Sequence, residues 1–307
     1  MAATFNYKAY IKAILNTLGI EEQARNLYYK INLQKYLINK IEERKFSRQY
    51  ADKNRYILNI EGKTIEYATE DSYSKHWFFP RLDGKIHEKK ATFLLVESLK
   101  SAKCFVDIGA HLGFYTCITS KIMPDGVVYS FEMDNQAYDL LNRNVEVNNC
   151  RNVETFQVAV SDTDDVVYYT KNKHTPSPGL RLSTLNEEES KYIKTLSVKS
   201  ITLDGFFVNK KIKPDIIKVD VEGAEMKALS GMKNILNTCD VKLFLEIHPK
   251  KLEIFQSSAL EVVSTLLSYG FKVYEIENMR ENNDGITLNP ISREKSLMEN
   301  TMLFSYR

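Results

Sequence analysis

The sequence predicts an α/β fold: a mainly parallel sheet covered by helices on both faces, preceded by a mainly helical region that carries a β-hairpin. Three observations predict it. From about residue 86, short apolar runs alternate with amphipathic segments, the pattern of strands joined by crossover helices. One run, KCFVDIG, passes directly into a turn holding Gly109 and Gly113. The runs that follow end in polar groups, Glu132 and Ser161-Asp162, where a doubly wound sheet places its ligand crevice.

Taken in order, residues 5–47 read as helical, with Leu27, Ile31, Leu37, Ile38 and Ile41 at helical spacings. RYILNIEGKTIEYATE alternates apolar and polar residues about Glu61-Gly62-Lys63, a hairpin pattern. The aromatic segment YSKHWFFP then ends at a proline. A helix over 87–100 leads to KCFVDIG, a helix from near Tyr115, the strand VVYSFE (127–132), and a helix from Asn135 to Val147. VETFQVAVS (153–161) and VVYYT (166–170) read as strands, and the polar, proline-bearing 171–190 as a long loop. DIIKVDVE (215–222), the helix AEMKALSGMKNIL, VKLFLEIHP (241–249) and a helix over 258–268 complete the alternation. FKVYEIE (271–277) and TMLFSY (301–306) are expected to pair antiparallel at one edge. The expected division is residues 1–85 and 86–307.

Composition narrows the class. In 307 residues, 42 Lys+Arg against 40 Asp+Glu leave a net charge of +2, so nucleic acid is not expected as a partner. Residues 30–63 are locally basic, nine Lys/Arg against four acids, which a solvated helix face explains as well as a docking patch. Four cysteines without a C-x-x-C pair read as reduced thiols. No run approaches the ~18 apolar residues of a membrane span, and a cytoplasmic location is expected. Homo-oligomerisation stays open.

The candidate site begins at Asp107, where the strand turns through Gly109, Ala110, His111 and Gly113 into the helix containing Tyr115. Two glycines let the backbone turn sharply, and the helix directs free amides at a ligand. The turn is not the G-x-G-x-x-G of dinucleotide binding. Glu132, 19 residues after Gly113 and followed by Met133, can accept from both hydroxyls of a ribose. Ala159, Val160, Ser161 and Asp162 offer an apolar wall and an acid for an adenine.

These blocks resemble the FkbM-type methyltransferases. The resemblance runs through VDIGAHLGFYT, SFEMDN, VAVSD, SITLDGFF, IIKVDVEGAEMKALSG and LFLEIHP, over about residues 104–249. It implies a class I methyltransferase, Rossmann-like fold, with a mostly parallel seven-stranded sheet and an antiparallel edge strand. It also implies S-adenosylmethionine as cofactor, released as S-adenosylhomocysteine, and carries Asp107, Gly109, Gly113, Glu132 and Asp162 over as cofactor-holding residues. Relatives commonly have Phe-Glu-Pro where this chain has Phe131-Glu132-Met133, which puts the turn after the acid in question.

A hydroxyl acceptor must lose a proton, which calls for a base or a metal. The candidates are Asp220 and Glu222 in KVDVEGAE, and Glu246 and His248 in LFLEIHP, paired by strand alternation. Asp220 is also counted among the candidate cofactor-binding residues. His248 has the pKa class suited to proton removal near neutrality. Glu222 reads equally as a helix cap. Asp220, Glu222 and Glu246 supply the oxygens magnesium prefers, without diagnostic spacing, and no metal site is assigned. His76, His87 and His174 stand alone, and Lys218 reads as a neutraliser of Asp220. O-methylation of a sugar, glycan or small metabolite is the leading expectation. N-methylation of RNA or protein, a non-catalytic cofactor-binding scaffold and an NAD-dependent oxidoreductase are the alternatives.

Overall fold

The computed structural model describes residues 45–46, 48–79, 82, 85–172, 178–179, 193–281, 285–292 and 297–307. The helix predicted over 5–47 lies outside them except at Lys45 and Phe46, which are helical. Most of the basic window's N-terminal half lies outside them too. The chain divides into two compact units at Lys53/Asn54, and the second, Asn54–Arg307, contains everything below. Its start does not coincide with the division expected at residue 85.

Strands β1 (Arg55–Ile60) and β2 (Lys63–Ala68) form the hairpin. Glu61 and Gly62 both take positive φ, 48° and 70°, as a two-residue hairpin turn requires. The aromatic segment is helix α1 (Ser72–Phe78), whose first turn is capped by Asp71 accepting from Ser74 N at 2.7 Å. Then follow α2 (Lys89–Leu99), β3 (Cys104–Ile108), α3 (Phe114–Ile122), β4 (Val127–Phe131), α4 (Asn135–Val147) and β5 (Val153–Phe156). A second set of strands comes next: β6 (Ala159–Val160), β7 (Val166–Asn172), β8 (Pro178–Gly179) and β9 (Ile193–Ile201). After α5 (Leu203–Phe207), the chain forms β10 (Ile216–Val219), α6 (Glu225–Ser230), α7 (Lys233–Thr238) and β11 (Lys242–Ile247). It ends with α8 (Pro249–Leu252), α9 (Ala259–Ser268), β12 (Lys272–Ile276), β13 (Leu288–Pro290) and β14 (Thr301–Tyr306).

Among the described residues the main sheet has eight strands, in the order β13-β12-β14-β11-β10-β3-β4-β5. Strands β5, β4, β3, β10 and β11 are mutually parallel. Every residue of β3 and β10 is buried, the signature of parallel strands covered on both faces. The predicted antiparallel pairing of β12 with β14 is present, but not as an edge. Strand β14 inserts between β11 and β12, antiparallel to both, and the short β13 takes the edge. Among the described residues the sheet therefore has one strand more than expected, and of its two antiparallel strands β14 lies inside it and β13 at its edge.

Two elements read as continuous are broken. The run 153–161 leaves the main sheet after Phe156, because Ala159 and Val160 pair in parallel with Ser200 and Ile201 of β9 instead. Strand β9 begins just beyond the long loop predicted over 171–190; most of that loop lies outside the described residues. The helix predicted from 224 to 236 stops at Gly231. A Cβ there would stand 1.8 Å from Ser161 O, and Asp204 accepts from Asn234 N and Ile235 N at 2.8 and 3.0 Å to start α7 afresh.

Candidate active site

Strands β3, β4, β10 and β11 end side by side, and a cavity of about 380 Å³ opens at those ends, the crevice position for open α/β sheets. Gly109 makes the close approach of β3 to β10: at φ 77°, a Cβ would lie 1.9 Å from Asp220 O. Gly113, at φ 78°, starts α3 against Leu141. Asp107 is buried beneath the turn and accepts from Thr116 Oγ1 at 2.7 Å. Burial raises its pKa, opposed by Lys218. Asp107 supports the turn from below and does not line the cavity, whereas Gly109, Ala110 and His111 do.

Glu132 does line the cavity. One oxygen accepts from His111 N at 2.8 Å and the other from Asp134 N at 2.7 Å, so the carboxyl is fixed in orientation while each oxygen keeps a second lone pair. Burial pushes its pKa up to about 7. Met133, Ala159, Val160 and Ser161 form the adjoining wall with Val158. Asp162 is not part of it: its carboxyl is held by Ser161 Oγ at 2.9 Å and by Lys227 Nζ at 3.3 Å. Tyr115 lines the cavity, buried, donating to Glu88 Oε2 at 2.9 Å.

On the other side stand the acid–base candidates. Strand β10 ends at Val219, so alternation places Asp220 at the cavity, while Glu222 sits beyond the strand with φ 54°. Glu222 caps no helix; it is half-exposed and ion-paired to Lys251. Glu246 lies on β11 and His248 one residue past its end, with His248 Nε2 at 3.7 Å from Glu246 Oε1, 3.9 Å from Asp220 Oδ1 and 3.5 Å from Glu222 Oε2. The other ring nitrogen, Nδ1, is 2.8 Å from Glu225 Oε1.

The electrostatics are strongly perturbed. Burial would raise the Asp220 pKa, but Lys218 and His248 outweigh it and hold it below the usual value. Glu246 goes up to about 8, through burial first and then the charges of Asp220 and Glu88. Burial would lower the His248 pKa; the bond to Glu225 and the charges of Asp220 and Glu246 reverse that and raise it. His111, by contrast, is pushed down to about 4 by burial, and Tyr73 reaches it at 2.5 Å. A neutral His111 belongs with the turn.

Magnesium does not fit these carboxylates. Atoms of Asp220, Glu246 and His248 come within 4.8 Å of one another, yet each acid already has a cation. Lys218 Nζ is 3.4 Å from Asp220, Arg280 Nη2 is 2.9 Å from Glu246, and Lys251 holds Glu222. The third atom of the group is a ring nitrogen rather than a hard oxygen.

Sequence spacing points to none of Glu225, Glu88, Arg280 and Trp77, all of which bear on the cavity or its base. Glu225 is fully buried at the start of α6; a lone acid on the apolar side of a helix was its one available signal. Glu88 and Arg280, 3.6 Å apart, come from opposite ends of the unit. His87, read as unremarkable, lines the cavity beside Trp77, ring centroids 5.0 Å apart.

A strand order of this kind, with a glycine turn after β3, an acid closing β4 and a cavity above both, defines a class I methyltransferase. The lining fits an adenosyl cofactor: turn amides, a fixed carboxyl for ribose hydroxyls, and an apolar wall. Residues 107–273 match the methyltransferase FkbM domain, and the chain belongs to that family of S-adenosylmethionine-dependent methyltransferases. A curated relative, hexuronic acid methyltransferase AglP of Haloferax volcanii, is 27% identical over 194 residues, covering 62% of this chain and 74% of that protein. Among solved structures, a methyltransferase FkbM from Methylobacillus flagellatus KT is similar at 14% identity and TM-score 0.41, over 67% of this chain but only 44% of that one. Precorrin-6y C5,15-methyltransferase from Geobacter metallireducens GS-15 is similar at 12% identity and TM-score 0.40, over 70% and 87%.

Proposed function

We propose that this chain O-methylates a hydroxyl of a sugar, glycan or small metabolite, with His248 as the base. The observation that carries the reading is the placement of His248: buried, its Nδ1 held by Glu225, its Nε2 on the cavity among Asp220, Glu222 and Glu246. The similarity to a hexuronic acid methyltransferase supports a sugar acceptor.

Cofactor binding is assigned to the amides of Gly109, Ala110 and His111, to Glu132, and to the wall Met133 and Val158–Ser161. S-adenosylmethionine, when bound, supplies a sulfonium-activated methyl group. What the chain adds is alignment and a destination for the proton. Transfer would form the new O–C bond as the carbon–sulfur bond broke, its electron pair staying on the sulfur of S-adenosylhomocysteine, and the acceptor's proton would pass to His248 Nε2. The surrounding carboxyls stabilise the imidazolium so formed. Asp220, its pKa held down by Lys218 and His248, supplies negative charge from the β10 side, 3.9 Å from Nε2. Among the described residues no helix is long and apolar enough to cross a membrane. A reducing, cytoplasmic setting is supported by the four cysteines, all free thiols.

The test is calorimetric titration with S-adenosylmethionine and with NAD, then incubation with S-adenosylmethionine and a panel of sugars and uronic acids, the products read by mass spectrometry and NMR. We expect cofactor binding without NAD binding, a methyl ether product, and in His248→Asn a turnover loss of about 10²–10⁴-fold with binding retained. Transfer to amines alone, or full turnover in His248→Asn, would overturn the reading.

A further inference from the structure

Four carboxyls surround the imidazole of His248, and they are not equivalent. Asp220, from the end of β10, has Lys218; Glu246, from β11, has Arg280, which also reaches Glu88; Glu222, from the turn after β10, has Lys251 of α8. Glu225, from α6, has none of these. Among the described residues, its only ionic partner is His248. It is also the most enclosed of the four, with 0% of its side chain exposed. One of its oxygens accepts from Gly223 N at 3.1 Å as well as facing His248 Nδ1. The other has no hydrogen-bond partner among the described residues. A buried carboxyl left partly unsatisfied is costly, and here the geometry gives it one ring to act on.

We infer that Glu225 is the positioning residue of the reaction: it holds the proton of the neutral imidazole on Nδ1, so that Nε2 faces the acceptor with a free lone pair, and it offsets the charge the ring takes up. The inference rests on the reading of His248 as the base. Its physical content is a tautomer and an orientation. A carboxylate accepts and cannot donate, so a ring nitrogen 2.8 Å from it carries hydrogen in both protonation states. Only Nε2 then loses and regains the proton. The raised pKa of His248 has the same origin, its bond to Glu225 being the largest of the raising influences. Glu225 touches neither acceptor nor cofactor side of the cavity and is not among its lining residues; it acts through the ring alone.

The experiment is long-range ¹H–¹⁵N NMR of the full chain's imidazoles across pH, with His248 assigned by its absence in His248→Asn. In the unaltered protein the neutral ring is expected to carry hydrogen on Nδ1 and to titrate above the ordinary histidine value. In Glu225→Gln, which keeps the shape, the midpoint is expected to fall by about one pH unit or more, and the preference for the Nδ1–H form to weaken. The pH profile of turnover should move with it, and Glu225→Asp should restore both in part. An Nε2–H tautomer in the unaltered protein would overturn the inference without any variant, so a failure of Glu225→Gln to fold leaves it testable. An unmoved midpoint in a folded Glu225→Gln would overturn it equally. Should His248→Asn turn over normally while the tautomer is as expected, the reading of the base falls, and the role of Glu225 in the reaction falls with it.

Discussion

At the scale of single residues, titratable groups on both sides of the cavity are moved from their ordinary values. In the proposed reading Glu132 accepts from the cofactor's hydroxyls, and its ionised form accepts more strongly than its neutral form. Because burial pushes its pKa up to about 7, that form fills in as pH rises past neutrality. Affinity for S-adenosylhomocysteine is therefore expected to climb between about pH 6 and 8, and the climb should vanish in Glu132→Gln; calorimetry at three pH values checks both. The same shift acts on stability with its own sign. A carboxyl whose folded pKa exceeds its unfolded one stabilises the fold fully below the unfolded value, near 4.3. That contribution is lost as pH rises through about 7. His248, the proposed base, titrates in the same direction as a free histidine but at higher pH. Its raised pKa delays appearance of the neutral base, so turnover should rise with pH through a midpoint above the ordinary histidine value.

At the scale of elements, the site depends on how tightly strands and turns approach one another. Gly109 and Gly62 have similar φ, 77° and 70°, yet a Cβ on Gly109 would strike Asp220 O at 1.9 Å while nothing stands within 4 Å of Gly62. Alanine at Gly62 should cost only the left-handed backbone term, about 1 kcal/mol. At Gly109 it should cost several kcal/mol, since backbone of β10 must move as well. Urea melts of the two variants give the comparison. Gly109→Ala should also weaken cofactor binding, because the displaced strand end carries Asp220. A comparable loss at both sites would mean that the approach of β3 to β10 is looser than these distances state.

At the scale of the whole molecule, the hairpin and α1 belong to the catalytic unit. Tyr67 is fully buried and donates to Phe114 O at 2.8 Å, at the first residue of α3. Asn144 of α4 bridges Ala68 N and Leu112 O, at 2.8 and 2.7 Å. Trp77 of α1 then lines the cavity. Tyr67→Ala is expected to cost about 3–5 kcal/mol, as for other large buried aromatics, and to lower cofactor affinity with it. A chain starting at Asn54 should keep the methyltransferase unit folded, and one starting at residue 86 should not; circular dichroism melts separate the cases. Trp77, the one tryptophan of the chain, reports on the cavity by fluorescence in the same experiments.

By itself the sequence determined what is local. The central parallel strands β3, β4, β10 and β11 show as apolar runs, the glycine turn as two residues that tolerate positive φ, and Glu132, Asp220, Glu246 and His248 as polar groups at or just past strand ends. Those signals need only chain neighbours, because burial, alternation and turn geometry act within a few residues. Tertiary structure alone decided the rest. Alternation tells which face a strand buries and not which strand lies beside it, so β14 slips between β11 and β12 unannounced and β9 draws β6 out of the main sheet. The partners of the charged groups are equally remote in sequence: Arg280 reaches Glu246 and Glu88, and Glu225 reaches His248. An ionic partner is chosen by distance in space, and the chain sets that distance only once every strand has found its place.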